Sequence, residues 1–79
     1  MQLEYSKEAV KYIDSCDKPT KQRLRTAIEK IPLGDIKKLS GYKNDYRLRV
    51  GDLRVLFSMN ADTIVIKEIG SRGQIYKRV

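Results

Sequence analysis

Residues 46–59 read Tyr-Arg-Leu-Arg-Val-Gly-Asp-Leu-Arg-Val-Leu-Phe-Ser-Met, and their alternation decides the fold. Tyr46, Leu48 and Val50 alternate with Arg47 and Arg49. Leu53, Val55, Phe57 and Met59 alternate with Arg54, Leu56 and Ser58. A period of two marks strands with one face on a core. Gly51-Asp52 between the runs is a two-residue turn, with glycine first as a type II′ turn prefers. Such a turn sets Val50 opposite Leu53, Arg49 opposite Arg54, Leu48 opposite Val55 and Arg47 opposite Leu56. Arg47, Arg49 and Arg54 then project from one face of the hairpin, and Leu48, Val50, Leu53 and Val55 from the other.

Working outward, Asn60-Ala61-Asp62 makes a second turn. Thr63–Ile69 is β-branched and mostly apolar, as a central strand is. Gly70-Ser71-Arg72-Gly73 reads as a loop, and Ile75-Tyr76-Lys77 as a last short strand or turn. Towards the N-terminus the period changes. Met1–Tyr5 is short and alternating, an edge strand. Ser6 offers a helix N-cap, with Glu8 favourable in the first turn. Ala9, Val10 and Ile13 form an apolar stripe that ends near Cys16. Asp17-Lys18-Pro19 restarts a helix, with Asp17 as its cap and proline in the first turn. Leu24, Ala27, Ile28 and Ile31 share one helical face, and Pro32 and Gly34 end it. The expected fold is α+β, a single domain over residues 1–79. It comprises an N-terminal strand, an antiparallel helical hairpin, a three-stranded antiparallel meander and a short C-terminal segment.

Composition narrows the function classes. The chain is 41% hydrophobic and 34% charged, a globular rather than a disordered balance. No apolar run approaches the roughly 18–20 residues that span a bilayer. The start, MQLEYSKEAV, lacks the pattern of a signal peptide. A cytoplasmic protein with no membrane partner is the expectation. Cys16 is the single cysteine and there is no histidine, so an internal disulfide is excluded and no imidazole is available to activate the thiol. Cys16 reads as a structural residue. The acids are scattered without ligand spacing, so neither a metal nor another cofactor is expected.

The charge is uneven. Residues 1–36 carry seven basic and six acidic side chains, whereas residues 37–79 carry ten basic and four acidic. A basic second half is the footprint of a polyanion partner. On the helices, Lys18, Lys21, Arg23 and Arg25 read as a solvated face. The sheet arginines differ, because two guanidiniums opposite one another repel and cannot shed their charge. Two readings are open for them. They fan into water or pair with Asp45, Asp52 or Glu68; or an anion sits among them, and phosphate suits the planar fork of guanidinium donors. Arg72 would add a cation from the loop, and Tyr76 a ring on which an unstacked RNA base can lie.

The stretches Leu39-Ser40-Gly41, Tyr46–Val55 and Ile69-Gly70-Ser71-Arg72 with Tyr76 resemble the RelE/ParE superfamily of toxins from toxin–antitoxin pairs, RelE-like branch, over nearly the whole chain. The Tyr-Arg-x-Arg-x-Gly-Asp-x-Arg-Val stretch is the specific part. The resemblance implies a small sheet packed on a helical hairpin. It further implies metal-independent endonucleolytic cleavage of mRNA in the ribosomal A site, which inhibits translation, and a cognate antitoxin that blocks the site. By position it implies Arg47, Arg49, Arg54, Arg72 and Tyr76 as catalytic residues. Lys43, Arg47, Lys77 and Arg78 make up the expected RNA-binding set. Some members carry lysine where this chain has Arg47 and Arg49. Arginine is hardly a general base, so activity here would rest on electrostatics, positioning and the ribosome itself. Two rival readings share the sequence: a ParE-like, non-enzymatic inhibitor of DNA gyrase, and a plain nucleic-acid- or ribosome-binding module.

Overall fold

A computed structural model describes residues 2–39 and 45–71. The elements are β1 (Gln2–Tyr5), α1 (Lys7–Ser15), α2 (Lys18–Glu29), β2 (Ile36–Lys38), β3 (Asp45–Val50), β4 (Leu53–Met59) and β5 (Thr63–Ser71). The strands form one five-stranded sheet in the order β1-β5-β4-β3-β2. β1 runs parallel to β5 and the other pairs are antiparallel.

The helices begin at Ser6 and Asp17, which occupy their N-cap positions. The Ser6 hydroxyl accepts the Ala9 N–H at 3.1 Å, and donates to the Lys67 carbonyl at 2.6 Å. The Ser6 N–H donates to the Ile66 carbonyl at 2.8 Å. One residue thus starts α1 and ties it to the sheet. Asp17 occupies the N-cap position of α2, with Pro19 in the first turn, but its side chain makes no capping bond. The expected Asp17 cap is therefore corrected: position and proline start this helix without the carboxylate. α1 buries Ala9 and Ile13, and α2 buries Leu24 and Ile28. They lie against Leu48, Val50, Val55, Phe57, Ile64, Ile66 and Ile69 of the sheet. Phe57 is fully buried, its ring stacked on Tyr46 with centroids 5.6 Å apart. Burying such an aromatic contributes about 1.5–3 kcal/mol. No helix among the described residues is long and apolar enough to cross a membrane.

The central hairpin has the register that its two-residue turn dictates, with Arg49 paired to Arg54, Leu48 to Val55 and Arg47 to Leu56. Gly51 has φ +59°, the left-handed conformation that a primed turn asks of glycine. At the second turn the Asn60 side-chain oxygen accepts from the Asp62 and Thr63 N–H groups at 3.1 and 2.9 Å.

Two expectations are corrected. The expected N-terminal strand does form an edge, beyond β5, but the meander is also extended beyond β3 by β2, which was not expected. A three-residue strand is too short to show a period, and it forms because backbone pairing with β3 satisfies its polar groups. Gly70 and Ser71 are not loop residues but the end of β5, paired with Arg54 and Leu53. Sheet pairing overrides the breaker tendency of glycine there. Between β4 and β5 the register shifts: Leu56 pairs with Glu68, whereas Phe57 pairs with Ile66. Lys67 is the extra residue. This bulge reverses the alternation of β5, so that Ile64, Ile66 and Ile69 all reach the core. The expected C-terminal segment at Ile75–Lys77 lies outside the described residues.

Candidate functional site

The helices cover one face of the sheet, and the other face carries the cations. Arg47 and Arg49 come from β3 and Arg54 from β4, brought together by the Gly51 turn. β2 adds a cation that sequence reasoning missed. Lys37 is exposed and pairs directly with Arg47. Residues directly opposite on antiparallel strands share a face, with Cβ atoms about 4.5–5.5 Å apart. Nothing in the three-residue run Ile36-Lys37-Lys38 marked it as a strand, so nothing marked Lys37 as Arg47's neighbour.

The three arginines sit at different depths. Arg49 is exposed and Arg47 half-buried. Arg54 is only 5% exposed. Its Nη1 donates to the Leu53 carbonyl at 3.1 Å and the Gly51 carbonyl at 3.4 Å. Its Nε is buried and has no hydrogen-bond partner among the described residues. Among the described residues no carboxylate lies within ion-pair distance of Arg54. The three arginines thus share a face, as the alternation predicts, but not a depth. Alternation assigns a side chain to a face but says nothing of its depth. Arg54 is a fixed positive charge set into the sheet beside the open Arg49.

Two carboxylates form ion pairs among the described residues. Asp45 pairs with Lys67 at 3.0 Å. Asp35, itself exposed, approaches the half-buried Arg47 loosely at 3.8 Å, while its carbonyl accepts the Arg49 N–H at 2.9 Å. Such a surface pair is worth little. Lys43, Arg72, Tyr76, Lys77 and Arg78 fall outside the described residues. Ser71, the last described residue, pairs with Leu53 beside Arg54.

A buried guanidinium held by neutral carbonyls, with an exposed guanidinium opposite it, can hold an oxyanion. The charge is permanent, and partial burial lengthens its electrostatic reach. The same groups cannot give or take a proton near neutral pH. Their chemistry is stabilisation of negative charge, not acid–base transfer.

Two helices on one side of a five-stranded sheet and cations on the other define a class: small α+β domains found in toxin–antitoxin complexes. The RelB–RelE antitoxin–toxin complex from Methanococcus jannaschii superposes with a TM-score of 0.77 at 31% identity, over 95% of this chain and 96% of that one. The RelE–RelB complex from Pyrococcus horikoshii OT3 does so with 0.74 at 31%, over 92% and 96%. Toxin RelE3 of Methanocaldococcus jannaschii is 48% identical over 42 residues, 53% of this chain. That match spans about half the length of the curated relative, 48%. No family model matches the sequence. The chain belongs to the RelE family of toxins.

Proposed function

We propose that this chain is the toxin of a type II toxin–antitoxin pair and a metal-independent endoribonuclease that cuts mRNA in the ribosomal A site. It acts in the cytoplasm, and a cognate antitoxin holds it in check. The observation that carries this reading is the Arg49–Arg54 cross-strand pair, with Arg54 buried, its Nε orphaned and no carboxylate beside it among the described residues. A fold selected for stability alone has no reason to keep that charge there.

In the proposed reaction a ribose 2′-oxygen attacks the adjacent phosphorus. The 2′-O–P bond forms and the P–O5′ bond breaks, leaving a cyclic phosphate and a 5′-hydroxyl. The 2′-OH loses a proton and the 5′-oxygen gains one. Arg49, Arg54 and Arg72 stabilise the charge of the five-coordinate intermediate, and Arg47 holds the strand. Tyr76 orients the 2′-OH or stacks on a base. Removing one contact to transition-state charge typically costs on the order of 10²–10³ in rate. With no histidine in the chain, proton transfer falls to water, Tyr76 or groups of the ribosome.

The test is inducible expression of the wild type and of Arg49→Ala and Arg72→Ala, with cut sites mapped by primer extension. Wild-type induction should arrest translation and leave in-frame cuts in translated messages, and both variants should lose the cuts while remaining folded. DNA damage with intact messages would replace this reading with gyrase inhibition.

A further inference from the structure

We propose that Lys37 is an RNA-binding residue that holds the phosphate next to the one being cut, extending the cationic face to the β2 edge of the sheet. The inference rests on the RNA-cutting reading above and deepens it. Lys37 is exposed, and its partner in register is Arg47. Among the described residues no carboxylate pairs with Lys37. The cations therefore step from Arg54 on β4, through Arg49 and Arg47 on β3, to Lys37 on β2, all on the face away from the helices. Neighbouring strands are about 4.7–4.9 Å apart, so β4 and β2 are separated by about 10 Å. That is wider than one phosphate group. An anion seated on the Arg49–Arg54 pair leaves Lys37 to its neighbour along the chain, and Arg47 between the two.

Like charges placed directly opposite on paired strands destabilise a sheet. The ordinary reason for lysine on an edge strand is to discourage edge-to-edge pairing, but Lys38 already serves that purpose. Lys38 pairs with Tyr46, whose ring packs on the core, so it lies on the helix side of the same strand. The two lysines are adjacent, equally charged and both exposed, yet they sit on opposite faces. They form an internal control that separates position from net charge.

The probe is a 2′-O-methylated single-stranded RNA oligonucleotide, which lacks the attacking hydroxyl, titrated against the full chain at several salt concentrations. Each phosphate neutralised on a single strand contributes about 0.7 to the slope of log K against log salt. Lys37→Gln should lower that slope by about 0.7, Lys38→Gln should leave it unchanged, and Lys37→Arg should restore it. In cleavage assays Lys37→Gln should raise KM with kcat little changed. Equal slopes for Lys37→Gln and Lys38→Gln would overturn the assignment while leaving the cutting site intact. A wild-type protein with no salt-dependent affinity for the oligonucleotide would overturn this inference and the RNA reading together.

Discussion

Replacing Arg54 with methionine should stabilise the protein and inactivate it at once. Arg54 is 5% exposed, its Nε has no hydrogen-bond partner among the described residues, and Arg49 opposes it in register. With no counter-charge beside it among the described residues, holding a cation there costs several kcal/mol, even after relaxation. Against that stand two hydrogen bonds from Nη1, at 3.1 and 3.4 Å, together worth about 2–3 kcal/mol. Methionine keeps a long flexible side chain and fills the same space with an uncharged one. The balance favours Arg54→Met by about 1 kcal/mol or more. In a domain of this size that raises Tm by about 4–8 °C per kcal/mol. Thermal unfolding followed by circular dichroism at low and high salt measures it. The gain should shrink in high salt, where the repulsion from exposed Arg49 is screened. Translation arrest on induction should fall by on the order of 10²–10³ in rate. A Tm below that of the wild type would refute the reasoning, and would make Arg54 a structural residue held by the Gly51 and Leu53 carbonyls.

Ser6→Ala removes both the cap on Ala9 and the bond to the Lys67 carbonyl. It should cost about 1–2 kcal/mol, read as a lower urea midpoint; an unchanged midpoint would show that water replaces both bonds. Burial, and then Asp17, push the Cys16 thiol above its ordinary pKa, and its Sγ–H donates to the Tyr12 carbonyl at 3.2 Å. Iodoacetamide should alkylate it more slowly at pH 8 than an unstructured peptide thiol, and a rate equal to the peptide's would contradict the assignment. Burial, followed by Glu29, likewise raises Tyr5. Both groups hold their protons more tightly when folded. Their contribution is complete below the unfolded pKa and is lost as pH rises through the folded one, so denaturant midpoints should fall at alkaline pH.

The hairpin was legible because two signals agreed. Alternation over residues 46–59 chose the faces, and Gly51-Asp52 fixed the register, so that Arg49 meets Arg54. β2 was not legible. Three residues carry no period, and the pairing depends on a tight approach in which a Cβ on Gly34 would lie 3.2 Å from Leu48 Cδ1. Lys37 was lost with it. Gly70 read as a breaker because local propensity ignores the partner strand waiting at Arg54. The depth of Arg54 was invisible for a similar reason, since burial is a property of the assembled sheet. The bulge at Lys67 was hidden too: Ile66 and Ile69 both look inward only once β4 has set the register.

The parallel pairing of β1 with β5 sets a timetable for the newborn chain. Gln2 finds its neighbour at Thr63, and Ser6 finds carbonyl acceptors only at Ile66 and Lys67. β1 therefore waits for β5, which is made later, and contacts this distant in sequence are slow to close. The β3–β4 hairpin can zip up by itself, but the sheet edge beside β5 stays open until translation has passed residue 66. β1 has nowhere to dock until β5 has been made.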